Sequence, residues 1–243
     1  MPPATKPLSL RRAIRPTAAP LIRIEHKNLD DKIYARPKTM VLERRLLPGE
    51  RFLLSQLSRQ MGVSRTPLVS ALKRFAQQQL VEWVSRRDIY VRRFTKREMV
   101  DLYEVRVALE GLAARLAAAR IGEPELDELE AMFRGVDTKP SPSALRRYTE
   151  LDRQFHWRIV ELSGNKQLAN ALNSIHMRSF AFQYGLARPM SESIKEHREF
   201  LKALRAHDGD TCERLMRRHH GLSVERLKEA AELEAREDGA KSA

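Results

Sequence analysis

The sequence predicts a mostly helical protein in two parts: a basic N-terminal module of three short helices and one β-hairpin, followed by an all-helical bundle. Three observations predict it. Strand-forming runs end before Thr95, helical periodicity fills residues 96 to 234, and the charge divides at the same place. Of 45 Lys+Arg, 20 stand in residues 1–95 against 7 Asp+Glu, whereas residues 96–243 hold 25 of each. The formal net charge of +13 therefore belongs wholly to the first part.

A basic module joined to a neutral one implies a polyanion for the first and a different task for the second. No stretch approaches the roughly 20 uncharged apolar residues of a membrane span, since even ALEGLAARLAAARI is interrupted by charge. Nucleic acid rather than a membrane is thus the expected polyanion. A single cysteine, Cys212, rules out an internal disulfide framework and fits a reducing cytoplasm. A chain of 243 residues has room for two ordinary cores.

Residues 1–27 read as a disordered basic arm. Their opening MPPATKPLSLRRAIRPTAAPLIRI contains Pro and Arg and no acid, a composition shared with organelle transit peptides but lacking the apolar region of a secretory signal. PKTMVLERRLLPGERF reads as a short helix stopped by the turn Leu47-Pro48-Gly49, and LLSQLSRQMG as a second helix closed by Gly62. GVSRTPLVSALKRF opens the third, with Ser64 as N-cap and Pro67 in the first turn, where its missing N–H costs little. Leu68, Leu72 and Phe75 fall on one buried stripe, while Arg65, Thr66, Ser70, Lys73, Arg74 and Gln77 lie largely opposite. Val69 sits among these polar residues. Two short helices so joined, the second basic on its outer face, form a helix-turn-helix.

The runs VEWV and IYVRR flank Ser85-Arg86-Arg87-Asp88 as a hairpin, which turns residues 28–95 into a winged helix-turn-helix. Arg86 and Arg87 would then contact phosphate; the same pattern also fits an edge hairpin that merely caps a core.

Beyond Thr95, candidate helices cover about 96–120, 124–135, 143–163, 166–185, 191–206 and 208–234, with 235–243 as a flexible tail. Histidine placement is the informative feature. Asp152 and His156 are i, i+4 neighbours on a stripe with Phe155 and Ile159, His197 shares one with Ile194, Leu201 and Leu204, and His219 shares one with Cys212, Leu215, Met216 and Leu222. His220, rotated by about 100°, is expected at the periphery. Singly, each inward histidine reads as a satisfied core residue; an Asp/His₃ set on three helices suits Zn²⁺, Ni²⁺, Mn²⁺ or Fe²⁺. Arg106 is inward too, on the stripe Leu102, Leu109, Ala113, Leu116, and needs an anion: either Glu110, four residues on, or a ligand carboxylate.

These residues carry a family likeness. LPGERF, LSQLSRQMGVSRTPLVSALKRF and LVEWVSRRDIYV resemble the winged helix-turn-helix of the GntR family of bacterial transcription regulators. YEVRVALEGLAARLAA, LDRQFHWRIVELSGN and EHREFLKALRAHDGDTCERLMRRHH look like the all-helical FCD effector domain of one of its subfamilies, so the likeness spans about residues 28 to 230. The resemblance implies a homodimer that binds double-stranded DNA and senses a small organic acid in residues 96–234, often through a divalent metal. It matches Asp152, His156, His197 and His219 to the metal positions and offers Arg106 as partner of the effector's carboxylate. Repression relieved by ligand is the expected sign.

The chain departs from the family pattern at three places. Where members usually read Val-Arg-Glu-Ala-Leu, it has Leu68-Val69-Ser70-Ala71-Leu72, so Val69 replaces an Arg that typically contacts a base. Asp88 replaces a wing glycine, and Pro37 is expected to delay the start of the first helix. Two rivals stand beside regulation. One is a metal-dependent hydrolase, for which no further inward carboxylate suggests itself as general base; the other is a regulator-derived protein with weakened DNA recognition that acts through protein contacts.

Overall fold

The computed structural model describes residues 27–42, 45–85, 88–136, 141–182 and 187–242. The arm expected over residues 1–27, apart from Lys27, and the wing arginines Arg86 and Arg87 lie outside them. The N-terminal module comprises α1 (Lys27–Leu42), α2 (Leu54–Met61), α3 (Arg65–Gln77) and an antiparallel hairpin of β1 (Val81–Trp83) and β2 (Ile89–Val91). The bundle comprises α4 (Lys96–Ala118), α5 (Glu123–Met132), α6 (Pro142–Leu162), α7 (Lys166–Phe182), α8 (Met190–Arg205) and α9 (Gly209–Ser242).

Two boundaries differ from the sequence reading. α1 begins at Lys27, and Pro37 lies inside it instead of delaying its start. An interior proline removes one helix hydrogen bond and costs roughly 3 kcal/mol, but Ile33, Pro37 and Val41 form one buried stripe that docks α1 on α3. Tertiary packing outweighs propensity there. Tyr34 completes the seam: its ring stacks on Phe75 at 4.7 Å, its hydroxyl donates to Gln78, and the Arg74 guanidinium lies 4.2 Å from its centroid. The second difference is at the other end, where α9 runs through the expected tail to Ser242. The stretch ERLKEAAELEARE is built from strong helix formers, so nothing in it stops the helix.

The turns follow their residues. Gly62 closes α2 at φ +63°, a conformation glycine adopts without a Cβ penalty. Ser64 precedes α3 in extended conformation, as an N-cap does, although its hydroxyl makes no cap bond. The hairpin pairs Val81 with Val91 and Trp83 with Ile89, and Arg51 bridges to Tyr90 beside it.

One hydrophobic cluster joins Leu68, Leu72 and Phe75 of α3 and Ile89 and Val91 of β2 to Val100 and Tyr103 of α4, Ile175 of α7 and Val224 of α9. The N-terminal module is therefore seated on the bundle by shared core. A second cluster fills the bundle around Phe155, Leu126, Leu129, Phe200 and Leu204. Its main seam is α4 against α9. Ion pairs Glu104–Lys228 at 2.7 Å and Arg115–Glu213 at 3.4 Å fix the two helices antiparallel.

The module and the bundle meet at Thr95. Its hydroxyl accepts from the Glu98 N–H at 3.1 Å, the Glu98 carboxylate accepts from the Thr95 N–H at 2.9 Å, and Arg92 of the wing pairs with the same carboxylate. Glu98→Ala should remove both the reciprocal cap and the tie to the wing, lowering stability by about 1–2 kcal/mol. Glu98→Gln should recover most of the cap; urea denaturation of both variants checks this.

Candidate functional site

The four residues singled out by periodicity come together. One donor atom each from Asp152, His156, His197 and His219 lies within 4.8 Å of all the others, and all four residues are buried. α6 supplies Asp152 and His156 one turn apart, α8 supplies His197 and α9 supplies His219. His156 Nε2 stands 3.3 Å from His197 Nε2, and Asp152 Oδ1 lies 3.8 Å and 3.6 Å from these two nitrogens. Phe155 and Phe133 press against the His197 ring, at 4.5 Å and 4.9 Å between centroids, and close that side to water.

The second nitrogen of each ring is occupied. His156 Nδ1 lies 2.8 Å from Glu110 Oε2, His219 Nδ1 lies 2.7 Å from Glu196 Oε2, and His197 Nδ1 lies 3.3 Å from the Tyr148 hydroxyl, which in turn donates to Asp152 Oδ1 at 3.5 Å. Carboxylates accept and do not donate, so His156 carries its proton on Nδ1 and turns a bare Nε2 inward; for His219 the 2.7 Å contact with Glu196 favours the same tautomer over the longer 3.2 Å approach of Arg188 Nη2 to that nitrogen. With Tyr148 donating to Asp152, His197 does the same. Burial lowers the pKa of all three histidines, that of His219 to about 4, which keeps the rings neutral. Burial also pushes the Asp152 carboxyl up from its ordinary value. Neutral nitrogens facing one another 3.3 Å apart without a proton between them repel, and a cation relieves that repulsion. Imidazoles oriented by carboxylates or hydroxyls on their far nitrogens are the arrangement that borderline divalent metals use.

Arg106 is fully buried, and its Nε donates to Glu110 Oε1 at 2.6 Å, so the intramolecular partner offered by sequence is present. It also lines a cavity of about 20 Å³ with Asp152, His156, Arg188, His219 and Ser223. Burial opposes ionisation of Glu110, but the Arg106 guanidinium and the surrounding His220, His176 and His156 together outweigh it and hold the carboxyl well below its usual range.

His220 is not peripheral as the helical wheel suggested; it is 1% exposed, with Nε2 2.9 Å from Glu110 Oε2. α9 is covered by α4 on one side and α8 on another, so two adjacent residues both face protein. Glu110 also accepts from His176 Nε2 of α7 at 2.9 Å. Sequence reading passed over three more residues of the site. Tyr148 stands four residues before Asp152, on the same stripe, and was legible. Glu196 and Arg188 were not: they clasp each other at 2.7 and 2.6 Å, and only the folded chain brings them beside His219.

On the N-terminal module, Arg65, Thr66, Ser70 and Lys73 lie exposed along α3, with Val69 half-buried between them. Asp88 does not stand alone in the wing. It pairs with Arg51 at 2.5 Å and accepts from the Ser85 hydroxyl at 2.5 Å.

Among the described residues no helix is long and apolar enough to cross a membrane. The profile of bacterial regulatory proteins of the gntR family matches residues 29–91, and that of the FCD domain matches residues 101–221. The Nta operon transcriptional regulator of Aminobacter aminovorans is 35% identical over 131 residues, 54% of this chain and 62% of that protein. The chain thus spans less than two thirds of that relative. The HTH-type transcriptional regulator YdhC of Bacillus subtilis is 25% identical over 210 residues, 83% of this chain and 92% of the relative. Among solved structures, E. coli McbR/YncC superposes with a TM-score of 0.69 at 20% identity, covering 83% of this chain and 98% of that one, a likeness of fold.

Removing one member of a buried ion pair strands the other, at a cost of about 3–5 kcal/mol. Arg106→Ala should therefore lower stability by about that amount in chemical denaturation. Arg97→Ala, which breaks only an exposed pair with Asp101, should change it little.

Proposed function

This chain belongs to the GntR family of bacterial regulatory proteins and is a DNA-binding transcriptional regulator with an FCD effector domain, and from that premise we propose that it is a homodimeric repressor whose FCD domain holds a divalent metal and senses a small carboxylate. Residues 28–95 bind double-stranded DNA and residues 96–234 receive the signal. The observation that carries the sensor reading is the convergence of three bare imidazole nitrogens and the Asp152 carboxylate in a buried space. Asp152, His156, His197 and His219 would hold Zn²⁺, Ni²⁺, Mn²⁺ or Fe²⁺, which supplies a Lewis-acidic centre for an anionic ligand.

The neighbouring cavity of about 20 Å³ admits little more than one water. An organic acid reaching Arg106 or Arg188 there has to open the site. A ligand that binds the opened arrangement better shifts the balance toward it, and the two DNA-binding modules of the dimer change their spacing accordingly. On the DNA side, Arg65, Thr66, Ser70 and Lys73, with Arg86 and Arg87 of the wing, contact the duplex, and Val69 packs on a thymine methyl where relatives place an arginine.

Elemental analysis of protein purified without a His tag tests the metal. The wild type should carry metal, and His197→Ala and His219→Ala should each abolish it; unchanged stoichiometry in the variants would eliminate the assignment. Fluorescence anisotropy with the chain's own promoter region tests the DNA face. Binding should weaken steeply with salt, Lys73→Ala should reduce the salt slope by about 1, and Val69→Arg should alter base preference by roughly 1–3 kcal/mol at one position. Absence of DNA affinity at moderate salt would turn the reading toward a protein partner.

A further inference from the structure

Outside the four candidate ligands, Glu110 of α4, 1% exposed, is a heavily engaged buried side chain among the described residues. Its Oε1 takes Arg106 Nε at 2.6 Å and His176 Nε2 at 2.9 Å; its Oε2 takes His156 Nδ1 at 2.8 Å, with His220 Nε2 at 2.9 Å. Four helices therefore meet on one carboxylate. Two roles fit such a residue. Donor atoms of Glu110, His156 and His220 lie within 4.8 Å of one another, which would suit a second metal ion. Alternatively the carboxylate orients His156 from behind.

Charge decides between them. A second dication at Glu110 would sit against the buried Arg106 guanidinium, already on the same carboxylate at 2.6 Å, in a region too poorly solvated to screen the repulsion. It would also have to strip the proton from His156 Nδ1, the proton that leaves Nε2 bare. One guanidinium and one carboxylate balance without any ion.

We propose that Glu110 is a positioning residue of the metal centre: by accepting the Nδ1–H of His156 it holds that ring in the tautomer and orientation that aim Nε2 at the space shared with Asp152, His197 and His219, without itself touching the ion. The inference rests on the metal reading above and deepens it. His176 donates to the same carboxylate and steadies it, and so belongs to the support of the site and not to its ligands, while the His220 ring stands beside that carboxylate without a hydrogen bond to it.

The test uses the full-length, untagged chain. Zn²⁺ affinity is measured by chelator competition, and Co²⁺ absorption reports the ligand set. Glu110→Gln should still bind one ion per chain with the wild-type Co²⁺ band positions, but about 10–100-fold more weakly. His156→Ala, which removes a ligand, should change the Co²⁺ spectrum itself. Should Glu110→Gln fail to fold, ¹⁵N chemical shifts of the wild-type histidines read the tautomer directly, and His156 should carry its proton on Nδ1. A His156 protonated on Nε2, two ions bound per wild-type chain, or Glu110→Gln affinity within about twofold of wild type would overturn the role of Glu110 alone. A wild type that binds neither Zn²⁺ nor Co²⁺ would overturn the metal reading and this inference together.

Discussion

Burying ionisable groups in the middle of a helical bundle is the constraint on which the rest of this structure depends. A carboxylate taken out of water costs several kcal/mol unless its lone pairs are met, and Glu110 meets that cost with Arg106 on its own helix and hydrogen bonds from the histidines of α6 and α7, with His220 of α9 close beside it. Each partner must arrive from a fixed direction. The bundle geometry is thereby specified more narrowly than apolar packing would require, since a helix of leucines slips by a fraction of a turn at modest cost whereas the interhelical His156–Glu110 contact at 2.8 Å does not. Around this polar centre, Phe155, Phe133, Leu126 and Leu129 provide the apolar wall that makes every contact inside it strong.

The same helices reach the DNA-binding module. α4 starts one capping box after the wing, and Arg92 of the wing pairs with Glu98 inside that box. Gln79, at φ +58° just beyond α3, accepts from Arg92 at 3.3 Å and from Arg178 of α7 at 2.5 Å. A non-glycine residue held in the left-handed region costs free energy that its surroundings must supply, and two arginines from two different elements supply it here. Arg178 stands two residues beyond His176, which touches Glu110. A shift of α7 at the polar centre would therefore be felt at the end of α3 through rigid helix and direct hydrogen bonds, with no long loop to absorb it.

The bundle was legible because its punctuation is strong. Gly122-Glu-Pro, Gly164-Asn and Asp208-Gly separate amphipathic stretches, and the observed helices start within a residue or two of the expected positions. The Asp/His₃ set was legible for the same reason, since each member shares a stripe with core residues. Sequence misleads where a residue's environment is set by distant neighbours. Pro37 reads as a helix breaker until α3 is there to bury it, and His220 reads as peripheral until α4 and α8 both cover α9. Sequence spacing offers Glu110 only as a partner for Arg106; its other three contacts come from residues 46 to 110 positions away in sequence, which no local pattern encodes.

The two departures on the DNA face do not weigh equally once the wing is folded. A carboxylate near phosphates repels them only if its charge is uncompensated, and Asp88 is ion-paired with Arg51 and hydrogen-bonded to Ser85. The pair holds the end of the wing turn, just before β2, to the strand-like segment at Arg51, so Asp88 acts on the shape of the wing more than on its field. What remains is Val69. A half-buried valine between exposed Thr66, Ser70 and Lys73 leaves an apolar spot where the family pattern would place a long cation, with exposed polar residues on either side of it. Positioning contacts and base-reading contacts are separable in DNA recognition. On the proposed DNA face, replacing one base reader while keeping the positioning set would change which sequence is preferred before it changed whether the duplex is bound.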